Sequence, residues 1–85
     1  MKTKNDKHPI FKEFKNSIPD PIIDEISSSV KYLGYTTEYG IREDEQHWRI
    51  EKIEKIGTVT KTTYAGGFGK FSFKWSDRLT LKYSR

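Results

Sequence analysis

The chain has 85 residues, 33% hydrophobic and 14% aromatic, with a net charge of +4 and a mean hydropathy of −0.85. This describes one small domain with a marginal core, because chains of about 60 residues bury only ~60% of their unfolded surface. It has no cysteine, which excludes disulfides and thiolate chemistry, and no apolar run approaches the ~20 residues of a membrane span or reads as a secretory signal.

Residues 1–15 hold Lys2, Lys4, Lys7, Lys12 and Lys15 against Asp6 and Glu13, which is +3 of the total of +4. The expected organisation is a basic, flexible arm over 1–18 and a small β domain over 19–85. The arm is either a solvated tail or a segment that lies on an acidic neighbour or on nucleic acid. Ile10, Phe11 and Phe14 fall on one short helical stripe. Phe11 and Phe14 read as a hydrophobic hook for a neighbouring subunit, since two phenylalanines in so polar a segment need a place to bury. His8 and His47 are far apart and have no cysteine companions, so no metal site is expected.

Ile18-Pro19-Asp20-Pro21 is a break. Asp20 can N-cap a short helix near 20–29 with Pro21 at its first position. Ile22, Ile23, Ile26 and Val30 would then share a face, and Ser27-Ser28-Ser29 would end it. The alternative is an extended linker. Residues 30–37 read as a strand, in which Gly34 marks a bulge or a close backbone approach. Tyr32, Tyr35 and Tyr39 form either a stacking surface for bases or sugars or part of a core or interface; the second reading is preferred. Glu43, Asp44 and Glu45 read as a solvated loop, because calcium-loop spacing is absent and no paired carboxylates point to a shaped cleft.

The stretch from His47 to Tyr83 organises the domain. Gly57-Thr58 is a two-residue loop, and glycine in its first position suits a turn whose twist matches the flanking strands. Ile56 then faces Val59, Lys55 faces Thr60, Glu54 faces Lys61, Ile53 faces Thr62 and Glu51 faces Tyr64. One face holds Trp48, Ile50, Ile56 and Val59; the other holds Ile53 and Tyr64 among charged and Thr residues. A helix over 50–56 is the rival reading, from the spacing of Ile50, Ile53 and Ile56. It is disfavoured by its length and by the β-branched isoleucines. A bulge near Glu51-Lys52 is a further option for the strand.

Residues 65–69 contain Gly-x-Gly without the context of a nucleotide-binding loop, and read as a turn with Phe68 as an exposed anchor at its tip. Phe71, Phe73 and Trp75 alternate onto one face, as do Leu79, Leu81 and Tyr83. Ser76-Asp77 is expected to bend this run into two short strands, with Arg78 pairing with Asp77 or stacking on Trp75. The expected core is therefore Val30, Trp48, Ile50, Ile56, Val59, Phe71, Phe73, Trp75, Leu79, Leu81 and Tyr83. The candidate interface is Phe11, Phe14, Tyr32, Tyr35, Tyr39 and Phe68. No nucleophile–base pair or ligand set stands out, so neither an enzyme, a cofactor nor a small-molecule substrate is expected. The fold class is mainly β: an antiparallel meander, sandwich-like or a partly open barrel, of about four strands.

The series Gly34-Tyr35-Thr36, Tyr39-Gly40, Trp48-Arg49-Ile50, Gly57-Thr58-Val59-Thr60, Tyr64-Ala65-Gly66-Gly67, Trp75-Ser76-Asp77-Arg78 and Leu79-Thr80-Leu81-Lys82-Tyr83 resembles small virion structural proteins of tailed bacteriophages. The resemblance covers residues 34–83 and leaves out the N-terminal arm. It implies a component of the head, neck or tail, made in the host cytoplasm, that contacts other virion proteins or copies of itself, with no membrane. A small β module that binds nucleic acid through Tyr32, Tyr35, Tyr39 and the lysines of the arm is the alternative.

Overall fold

The computed structural model describes residues 18–67 and 69–85. The expected arm up to residue 17, with Phe11 and Phe14, and the expected anchor Phe68 lie outside the described residues. The rest is a five-stranded antiparallel meander in the order β1-β2-β3-β4-β5, open at both ends: β1 (Ile22–Glu25), β2 (Val30–Tyr35), β3 (Arg49–Ile56), β4 (Val59–Ala65) and β5 (Tyr83–Ser84). The meander expectation holds; the sheet neither folds into a sandwich nor closes into a barrel.

The β3–β4 hairpin forms as its residues dictate. Gly57 takes a positive φ of 62°, which glycine adopts without steric cost. The pairs Ile56↔Val59, Lys55↔Thr60, Glu54↔Lys61, Ile53↔Thr62 and Glu51↔Tyr64 are all present, and the ladder runs through Lys52↔Thr63 without a bulge. The helix over 50–56 is absent.

The helix near 20–29 is replaced by β1, which pairs with β2 from Ile22↔Gly34 to Glu25↔Lys31. The β-branched pair Ile22-Ile23 suits a strand. The serines make the turn: Ser27 Oγ accepts from the N–H groups of Ser29 (3.1 Å) and Val30 (3.2 Å), an arrangement that competes with helix continuation. The segment 71–83 also departs from expectation. Phe73 makes a single bridge to Trp48, with N–H···O distances of 2.9 and 3.1 Å. Residues Trp75–Asp77 form a 3-10 turn, and only Tyr83–Ser84 pair as a strand. Successive turn bonds from Asp77, Arg78 and Thr80 back to Lys74, Trp75 and Asp77 break the alternation that the sequence suggests.

The core is Tyr32, Trp48, Ile50, Ala65 and Trp75, with Val30, Ile41, Phe73, Leu81 and Tyr83 packed against it. It occupies one end of one sheet face. Ile56, Val59, Phe71 and Leu79, expected inside, are exposed. Ile56 and Val59 have the right parity, but they sit at the hairpin tip, beyond the reach of the segment that carries Trp75. Tyr32, expected at an interface, belongs to the core.

Candidate assembly surfaces

Two glycine positions allow the closing segment to lie on the sheet. Gly34 is buried under Trp75, so the close backbone approach expected there is present. Gly66 has φ 71°, and a Cβ there would meet the Phe73 ring at 2.6 Å. Trp48 and Trp75 pack against each other at 5.9 Å with their rings tilted by 36°, and Trp48 Nε1 donates to the Arg42 carbonyl at 2.8 Å. Arg78 stacks on Trp75 at 4.6 Å, as expected, but its ion pair is with Asp24 of β1 (Nε–Oδ2 2.9 Å) instead of Asp77. Tyr83 packs on Tyr32 at 5.5 Å and donates its hydroxyl to the Arg78 carbonyl at 2.8 Å. Burial, then the neighbouring Tyr32, holds the Tyr83 phenol well above its ordinary range, against the pull of Arg78.

The opposite face carries Ile23, Leu33, Tyr35, Arg49, Glu51, Ile53 and Tyr64, by the pairing registers. Arg49 reaches Glu51 at 2.8 Å and lies over the rings of Tyr35 (4.6 Å) and Phe71 (5.8 Å). Its Nε is enclosed without a hydrogen-bond partner among the described residues. Burial, then Glu51, raises the Tyr35 phenol, while Arg49 opposes the shift. A groove of about 410 Å³ crosses this side between the β1–β2 turn and β4, lined by Glu25, Ser28, Lys31, Ile53, Lys55 and Thr60 among others.

The three tyrosines do not converge. Tyr32 is in the core, Tyr35 lies under Arg49 on the opposite face, and Tyr39 is 55% exposed in the loop after β2. Among the described residues no three His, Asp or Glu side chains are grouped to hold a metal ion, and no helix is long and apolar enough to cross a membrane.

The sheet edges hold what remains. β1 is an outermost strand, and β5 covers only Tyr64 and Ala65 of β4, so Val59–Thr63 has no outer partner strand among the described residues. Exposed apolar side chains gather at these edges: Ile22 (37%), Ile23 (54%) and Ile26 (52%) on one, Val59 (55%) and Ile56 (60%) near the other. Sequence reasoning assigned Ile22, Ile23 and Ile26 to a helix face; the adjacent β-branched isoleucines before a serine turn were the signal for an edge strand.

No family model, no curated protein and no solved structure matches this chain.

Proposed function

We propose that the chain is a structural component of a tailed-phage virion, in the head, neck or tail, assembling through contacts with other virion proteins or with copies of itself. One observation carries the assembly reading: the two sheet edges combine backbone that has no partner strand among the described residues with exposed isoleucine and valine side chains. Unpaired edges are templates for adding another chain, and a core of five buried residues leaves stability to be gained by doing so. The likeness of residues 34–83 to tailed-phage proteins supplies the particle. The chain would be made in the host cytoplasm and act in the virion.

The nucleic-acid reading draws less support. The tyrosines it needs lie in three separate settings. The test is the mass of the purified chain in solution, by light scattering, with and without nucleic acid. A defined oligomer indifferent to nucleic acid is the expected result. A monomer that gains mass only with nucleic acid, and loses it as salt rises, would overturn the assembly reading.

A further inference from the structure

We infer that copies of this chain join by pairing β1 of one copy with β4 of the next, antiparallel, in the register Ile23↔Thr62 and Glu25↔Thr60. This deepens the assembly reading above and rests on it.

The outward-facing backbone groups follow from the ladders. In an antiparallel pair, alternate residues exchange both hydrogen bonds with their partner and the residues between point away. The Ile26 N–H donates to the Val30 carbonyl at 3.0 Å, so Ile22, Asp24 and Ile26 spend their bonds on β2. Ile23 and Glu25 therefore turn their N–H and C=O groups outward. The two-residue turn makes Ile56↔Val59 a bonded pair, so Val59, Lys61 and Thr63 bond to β3. Thr60 and Thr62 turn outward. The bond from the Gly66 N–H to the Lys82 carbonyl, and the Tyr64↔Ser84 pairing, have the parity this requires on the outer side of β4.

Face and length then select the register. Ile23 and Glu25 lie on the same sheet face as Thr60 and Thr62, so pairing them continues both faces across the junction; a slip of one residue would invert every side chain. Pro21 has no N–H to contribute before Ile22, and β5 occupies β4 from Tyr64 onward. The same register puts Arg85 opposite Thr63, so the four residues 23–26 meet the four residues 59–62. Within that span Asp24, already paired with Arg78 of its own copy, faces Lys61 as a second opposite charge, and Ile26 faces Val59, covering two side chains that are each more than half exposed. A slip of two residues in either direction loses the Asp24–Lys61 match and runs β1 into β5 or into the Gly57-Thr58 turn. The contact uses two different edges, so it is head-to-tail and builds a ring or a filament.

The chain contains no cysteine, which makes cross-linking clean. Ile26 and Val59 would be directly opposite at a non-hydrogen-bonded site, within the Cα separation of roughly 4.4–6.8 Å that disulfides accept. The double variant Ile26→Cys/Val59→Cys of the full chain, oxidised at low concentration, is expected to give a ladder of covalent multimers, and Ile23→Cys/Val59→Cys, whose side chains would lie on opposite faces, is not. Thr62→Pro removes an outward N–H and is expected to convert the oligomer to the 10.0 kDa monomer with an unchanged circular dichroism spectrum. Should that variant fail to fold, the cysteine pairs decide alone. An oligomer indifferent to nucleic acid that gives no ladder with the Ile26/Val59 pair overturns this edge pairing and leaves the assembly reading standing. Mass gained only with nucleic acid overturns the assembly reading itself.

Discussion

Trp75 rests on the backbone of Gly34. A Cβ built at Gly34 would lie 2.7 Å from Trp75 Cζ3, closer still to its Cε3, and 3.0 Å from Trp48 Cε3. The contact is backbone against the face of a core ring, so neither partner can move aside without unpacking the other tryptophan. Gly34→Ala is expected to destabilise the domain by about 1–3 kcal/mol, the usual range for overpacking. Urea unfolding followed by tryptophan fluorescence measures it; an unchanged midpoint would show that the closing segment shifts freely.

Trp48 and the hairpin tip separate what is buried from what merely shares a face with it. Trp48 is 4% exposed and hydrogen-bonded to Arg42, whereas Ile56 is 60% exposed. Trp48→Ala is expected to cost roughly 3–5 kcal/mol. Ile56→Ala is expected to stay within about 0.5 kcal/mol in the isolated chain. Thermal melts of the two variants give the comparison, and equal losses would place the tip in the core.

Arg78 joins the first strand to the closing turn through Asp24 and Trp75. Both members of the ion pair are partly exposed, so solvent screens it, and Arg78→Ala is expected to cost about 1 kcal/mol. Arg78→Lys should recover little, because lysine lacks the planar group that both stacks and donates sideways. Melting at low and at high salt checks this: the difference between the unmodified chain and Arg78→Ala should shrink as salt rises.

Tyr83 makes the fold sensitive to alkaline pH. Its folded-state pKa lies above the ordinary value of 10.0, chiefly through burial. The unfolded chain therefore loses this proton first. The stabilisation is fully present below about pH 10 and is lost as pH rises from there towards the folded value. Tyr83→Phe should lower the melting temperature at pH 7, by leaving the Arg78 carbonyl without its donor. It should also flatten the fall in melting temperature above pH 10. A fall of unchanged steepness in that variant would assign it to other groups.

Some of this protein is decided by neighbours along the chain. Gly57-Thr58 between two β-branched stretches settles the β3–β4 register to the residue, because a two-residue turn leaves no freedom in which side chains meet. Trp48 and Trp75 are legible as core because few side chains in so polar a chain bury as much apolar surface, and Ile50 because it shares the face of Trp48. Gly34 was legible as a bulge or a close approach, and the uninterrupted ladder through Gly34 with Trp75 against it leaves the second. Tertiary structure alone decided the rest. Asp20 to Ser29 carries helix signals, and becomes a strand because β2 offers a partner edge for Ile22–Glu25. Phe71 and Leu79 alternate as strand residues but stay exposed, because the chain turns between them to lay Trp75 on Gly34. Parity assigns a side chain to a face; whether that part of the face is covered depends on a segment distant in sequence, here one short turn that reaches only one end of the sheet.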